Sequence, residues 1–384
     1  MTDKPAIALP LYLSLLLAAI SGMAPFAIDT YLPAIPEIAD FMDTGIHRVE
    51  MSVSAFLLAF AGGQLIGGPL SDSYGRRPII LAGLVLFLIP SVLTIFVVDV
   101  STLIGLRVVQ GLGGGFSGVA IFAVIRDRVS GAAAAKTMNM VMMIMLVAPL
   151  VAPAVGAWLT TIVPWQGIFV MLTIYAAALL VITFLALPET RRRARRTTGR
   201  VISDAFVGYG QVLRHRVGLG YILASAMTVS VMFVFITESA FIYIETYQVA
   251  VIDFPYFFGA NIVVMMLVTR LNGRLLNRYE PHAIMSAGTI IQVVLAGMLA
   301  VAAWMQADLV IFAPLMFLTI GVLGLIGTNS AACLLSYFPE TSGTANAVLG
   351  AIRFVFGGIA GGLATLLHNG TLMPPTLLMA GLAI

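Results

Sequence analysis

The sequence predicts an all-α integral membrane protein, and three observations carry that prediction. Of 384 residues, 60% are hydrophobic and only 10% are charged, against about 25% charged in an ordinary soluble domain. Mean hydropathy is +1.04. The apolar residues fall into runs of about 20, the length a helix needs to cross the hydrocarbon core. No period-2 alternation runs through them, so helices are predicted over a β-barrel. The same figures exclude a soluble enzyme and a disordered chain. The single cysteine, Cys333, cannot form an internal disulfide.

The runs predict helices over 9–32, 48–70, 78–98, 101–125, 137–160 and 167–187, then 217–243, 256–275, 282–304, 309–335, 343–367 and 372–384. Two six-helix bundles follow, 1–187 and 217–384, joined by a polar linker over 188–216. The last run is too short to span, so the chain is expected to continue past Ile384. Met1 to Pro10 lacks a charged n-region and a cleavage site, and reads as the lead-in to an uncleaved first helix. The linker begins Pro188-Glu189-Thr190 and carries six arginines between 191 and 200. Topology control and contact with anionic lipid headgroups account for such a run, and nucleic acid is not expected as a partner.

Orientation follows from the basic residues. With the N-terminus in the cytoplasm, most of the 20 lysines and arginines face inward, including Lys4, Arg76, Arg77, Arg126, Arg128, Lys136 and the linker arginines. Arg48 falls outside, and Arg107 and Arg353 lie within helices. A weak repeat relates the halves. Gly68-Pro-Leu-Ser-Asp72-Ser-Tyr74 and Gly273-Arg-Leu-Leu-Asn277-Arg-Tyr279 both read Gly-x-Leu-x-(Asp/Asn)-x-Tyr, each on the cytoplasmic side. Two such halves around a central cavity form the architecture of many secondary transporters.

Several strings carry chemistry. Gly67-Gly68-Pro69-Leu70-Ser71-Asp72-Ser73-Tyr74-Gly75-Arg76-Arg77-Pro78 forms a tight turn between two helices. Its glycines permit close approach and a sharp reversal. Asp72 can bind helix N-terminal amides or pair with an arginine. Leu106-Arg107-Val-Val-Gln110-Gly111 places a cation about 9 Å inside a helix at 1.5 Å per residue, a costly position unless it is paired or wet. Asp29, in Asp29-Thr30-Tyr31-Leu32-Pro33, ends the first helix at a depth Arg107 also reaches. A carboxyl there can load and release a proton as its surroundings change. The fifth helix holds Pro149, Pro153 and Gly156 in Ala148-Pro-Leu-Val-Ala-Pro-Ala-Val-Gly156, which bends it and frees carbonyls.

Together these strings resemble the Bcr/CflA drug-resistance transporters of the major facilitator superfamily. Gly67–Pro78 resembles the superfamily's signature loop, with Ser73 where a basic residue is usual. Arg107-Gln110-Gly111 is similar to its second motif, and the Pro149–Gly156 segment resembles, in part, its antiporter motif. Where some drug antiporters carry a second acid in helix 1, this chain has Ser21. The resemblance implies the major facilitator fold, with pseudo-twofold symmetry. It implies a proton-coupled antiporter exporting drugs or other small amphipathic compounds across the bacterial inner membrane. Asp29 and Arg107 would couple the proton, and Gly68, Asp72, Gly75, Arg76 and Arg77 would form the cytoplasmic gate. Protons and a small-molecule substrate would be its partners, as a monomer among lipids, with the proton gradient in place of any cofactor. A symporter or a narrow-range metabolite exporter of the same fold is the alternative.

Substrate contacts are expected from Tyr31, Gln110, Asn139, Glu238 and Arg353, polar or aromatic groups inside predicted helices. Arg353 could pair with Glu238. Gln64, Phe122, Phe235, Tyr243, Phe258 and the methionines at 138, 140, 142, 143 and 145 are further wall candidates. His47, His215, His282 and His368 sit apart near loop ends, so no metal site is expected. No strand precedes the glycine runs, which excludes a nucleotide loop. No catalytic cluster stands out, so no enzyme is predicted.

Overall fold

The computed structural model describes residues 9–129, 131–190, 198–339 and 341–384. Every regular element among them is helical. In the first half these are α1 (Leu11–Asp29), α2 (Ile35–Phe41), α3 (Ile46–Tyr74), α4 (Arg76–Thr94), α5 (Val100–Val119), α6 (Ile121–Arg128), α7 (Gly131–Thr160) and α8 (Gln166–Ala186). A linking helix, α9 (Thr198–Arg214), leads to the second half. There lie α10 (Arg216–Ala240), α11 (Phe254–Leu275), α12 (Pro281–Trp304), α13 (Leu309–Gly321), α14 (Leu323–Ser336), α15 (Ser342–Leu367) and α16 (Met373–Ala383).

Eleven apolar spans long enough to cross a membrane result among the described residues, because several helices join end to end. A 3-10 turn, Leu32–Ala34, links α1 and α2. Pro33 and Pro36 each sit in the first turn of the segment they start, where a missing N–H costs least. A π-helical turn over Phe241–Thr246 extends α10. The twelfth apolar helix, α16, is shorter than a span.

The two halves repeat one packing plan. In the first, α1 packs on α7, α3 on α5 and α4 on α8; in the second, α10 packs on α15, α11 on α13 and α12 on α16. Between halves, α3 packs on α15 and α11 on α7, so the second membrane helix of each half meets the fifth of the other. That reciprocity is the pseudo-twofold relation the repeated turns predict.

The segment read as a polar linker contains a helix, α9, which buries Val212 against Ile222, Leu334 and Ala345 of the second half. The arginines at 191, 192, 193, 195 and 196, with Lys4, lie outside the described residues.

Glycine sets how closely the first half packs. A Cβ on Gly113 would lie 2.5 Å from Phe87 N, and one on Gly63 would lie 2.5 Å from Leu112 O. One on Gly111 would strike the Phe56 carbonyl. Helices α3, α4 and α5 therefore touch backbone to backbone, as small residues allow in membranes.

Candidate functional site

A cavity of about 680 Å³ lies between the halves, at the membrane face that carries the α3–α4 turn. Its wall is Gln64, Phe122, Met138, Met142 and Phe354, with Asp72, Arg76, Arg126 and Tyr209 toward the mouth. Met138 and Met142 are one turn apart on α7 and share a face. Flexible thioethers beside aromatic rings suit ligands of varied shape. Burial and the nearby Asp72 carboxylate raise the Tyr209 phenol above its ordinary value.

At the other end the halves close. A Cβ on Gly358 of α15 would lie 2.7 Å from Leu58 Cγ, and one on Gly361 would lie 2.6 Å from Ser54 Oγ. Both partners belong to α3. The cavity is therefore accessible from one face only.

The expected substrate contacts do not line this cavity. Tyr31 is fully buried, its hydroxyl 3.1 Å from Ser52 Oγ and its ring against Phe169. Gln110 Oε1 accepts from Arg107 Nη1 at 2.7 Å, and Gln110 Nε2 donates to Ser91 Oγ at 2.8 Å. Asn139 is exposed on α7, away from the lining face. Arg353 does not pair with Glu238: its Nε donates to Ser225 Oγ at 2.7 Å and its Nη2 to the Gly327 carbonyl at 2.8 Å. Glu238 is buried near the closed end, where Nδ1 of His368 approaches to 3.5 Å. Phe235 stacks on Phe258 and meets Tyr243 edge-on. Of the wall candidates, Gln64, Phe122, Met138 and Met142 reach the cavity.

Asp29 and Arg107 are both buried but do not touch. Asp29 is 3% exposed and makes no ion pair among the described residues. The Arg107 guanidinium is sandwiched between Tyr31 and Phe56, 5.0 and 4.5 Å from their ring centroids. Cation–π contact offsets part of its desolvation. Its Nε and Nη2 have no acceptor. Tyr31, two residues beyond Asp29, is the link between the two motifs. Gly156 lies against the same turn: a Cβ there would strike the Thr30 carbonyl. The α7 motif thus holds the chain beside Asp29.

The signature turn is a charge network. Gly75 alone separates α3 from α4, at φ +110°. Arg76 pairs with Asp72 through Nη1, and its Nε lies 3.2 Å from Asp127 Oδ2. The amides of Arg76 and Arg77 donate to the Glu189 carboxylate at 3.1 and 3.2 Å, a capping anion at the positive end of α4. Arg77 Nη2 donates to the Phe184 carbonyl at 2.5 Å. Asp72 therefore pairs with arginine, while Glu189 takes the amides. Asp127 and Glu189 are absent from the sequence-based site. Their signal was weak: each is a lone acid beside a run of arginines. Gly68 lies at the cavity wall, its Cβ position 3.8 Å from the Tyr209 hydroxyl.

The histidines do not all sit apart. His47 and His368 stack with ring centroids 4.7 Å apart. They form no group of three or more metal-ligating side chains among the described residues.

Two reciprocal helical halves around a cavity open to one face define a polytopic membrane carrier. A profile of the Major Facilitator Superfamily matches residues 15–362, and the chain belongs to that family. It is 30% identical to a bicyclomycin resistance protein homolog of Haemophilus influenzae, over 94% of this chain and 90% of that one. It is 27% identical to a chloramphenicol resistance protein of Pseudomonas aeruginosa, over 92% of this chain and 83% of that one. Among solved structures it superposes on a D-xylose-proton symporter with a TM-score of 0.77, at 14% identity, over 97% of this chain and 96% of that one. The last similarity bears on the fold alone. The family is one of membrane transporters, not enzymes.

Proposed function

We propose that this chain is a proton-driven antiporter that exports small amphipathic drugs across the bacterial inner membrane. The observation that carries the reading is the cavity itself: apolar and thioether-lined, with a charged mouth and one open face. Resistance proteins among its relatives support drugs as the substrate class. The positive-inside rule puts the N-terminus and the α3–α4 turn in the cytoplasm, so the cavity faces inward.

Asp29 carries the proton. A carboxylate sealed from water without a partner is costly, so the group binds a proton whenever the protein closes around it. Arg107 does not pair with it in this state. Its two free donors make it the cation toward which Asp29 turns when it is ionised, with Tyr31 between them as the pivot. Tyr31 and Gln110 position Arg107 instead of touching substrate. Substrate and proton then alternate, and the gradient drives the cycle without a cofactor. The chain works as a monomer. The network of Asp72, Arg76, Arg77, Asp127 and Glu189 fixes the cytoplasmic ends of α3 and α4 as one body during gating.

The test uses inside-out vesicles with an imposed pH gradient and a panel of antibiotics and dyes. Drug-induced proton efflux is expected with wild type and not with Asp29→Asn. Efflux in both would move the proton to another group. No response to any compound would favour a symporter or a narrow-range exporter and would remove drug export.

A further inference from the structure

The closed end of the seam between the halves holds a set of buried polar groups that the pathway above does not use. Glu50 lies one turn into α3, and Glu238 lies near the end of α10. Both are fully buried, and neither carboxyl has a side-chain hydrogen-bond partner; the backbone amide of Phe241, on the π-helical turn, faces Glu50. They come from opposite halves and are joined through contacts: His368, beside Glu238, stacks on His47, one turn before Glu50. Ser54 Oγ and Thr237 Oγ1 are buried without partners beside them, each 2.6 Å from the Cβ position of Gly361 on α15.

Cations are scarce here. His368, at the end of α15, brings Nδ1 to 3.5 Å from Glu238 Oε2, a close approach without an aligned hydrogen bond. Its ring stacks on His47 of α3 and meets Phe241 edge-on. The other charged groups facing this cluster are Arg48 of α3 and Glu245 of the π-helical turn. The histidines and Glu245, with Asp40 of α2, line a pocket of about 470 Å³ that opens to the outer face. Arg353 is committed to Ser225 and Gly327.

We propose that Glu50 and Glu238 form a second proton-binding site, reached from the outer pocket through His368, and that it latches the outer ends of the two halves. Two carboxyls sharing one dry site cannot both ionise, because desolvation and mutual repulsion oppose the second charge. With a proton held by the pair only one charge remains on the seam, and it closes. Loss of that proton to water leaves like charges on opposite sides of the seam, which drives the ends apart and hydrates both. Protonation from outside thus returns the carrier to the inward-open state. The inference rests on alternating access, but not on the substrate or on Asp29.

Spin labels at Phe41→Cys and Asn369→Cys, in a Cys333→Ser background in lipid nanodiscs without drug, report the outer opening. In wild type the long-distance population is expected to rise about tenfold from pH 5 to pH 9. Glu50→Gln/Glu238→Gln is expected to stay closed at both. Each single Gln variant, which also removes the like-charge pair, serves if the double variant does not fold. Asp29→Asn is expected to keep the shift, which separates this latch from the antiport reading. A flat distance profile in wild type, or the same shift in the Gln variants, would overturn the proposal.

Discussion

The repeat gives this protein two equivalent turns, and only one is pinned by a network of charges. In the first half α3 runs through Asp72 to Tyr74, one residue turns the chain, and α4 begins at Arg76. In the second half α11 stops at Leu275, and five residues pass before α12 begins at Pro281. The first turn is pinned by Asp72, Asp127 and Glu189. In the second, Arg274, Asn277, Arg278 and Tyr279 are exposed, and the two arginines make no ion pair among the described residues. Space tells the same story. A Cβ on Gly273 would meet nothing within 4 Å, while one on its counterpart Gly68 would lie 3.7 Å from Val119 Cγ2 and 3.8 Å from the Tyr209 hydroxyl. A shared pattern of small and polar residues sets the position of a turn. The acids that reach it from other loops decide whether it is rigid.

Substitutions can break that contrast. Gly75→Ala is expected to have the largest effect, about 2 kcal/mol of stability, because a left-handed φ and a lost cap act together. A fall in thermal unfolding temperature in detergent measures it, and an unchanged temperature would dismiss the turn's rigidity. Glu189→Gln removes the capping charge and should cost about 1 kcal/mol, read by the same melt and diminished in high salt. Gly273→Ala should instead stabilise by about 0.5 kcal/mol, since alanine is the better helix former in open space. Asn277→Asp restores the acid of the first turn. It should stay within about 0.5 kcal/mol of wild type, as ordinary surface changes do. A larger gain would mean that the acid alone builds the network.

Hydropathy made the fold legible because a span needs only local information. The helix predicted over 48–70 is found at Ile46–Tyr74, and that over 282–304 at Pro281–Trp304. The α9 helix escaped because its apolar face is narrow and its flanks are arginine-rich. The site was less legible. Asp29, Arg107 and the turn are strings in one stretch of chain. Asp127 and Glu189 join them from 51 and 113 residues beyond Arg76. Glu50 gave the plainest overlooked signal, an acid inside an apolar helix, and its meaning lies in Glu238 and His368 on the other half. The expected substrate contacts named polar groups inside predicted helices. Depth does not reveal which face of a helix meets the cavity, and Tyr31 and Gln110 turn theirs toward Arg107.

The close crossing of α15 on α3 at Gly358 and Gly361 has a mechanical consequence. It acts as a fulcrum with arms of unequal length. From Gly361 to the start of α15 at Ser342 is roughly 28 Å of helix, and from Gly361 to its outer end near Leu367 roughly 9 Å. A tilt of about 10° about that point would sweep the inner tip roughly 5 Å and the outer tip less than about 2 Å. Rotation about this point alone therefore opens the inner side far more than the outer, and release of substrate outside requires α15 to part from α3 at the crossing itself.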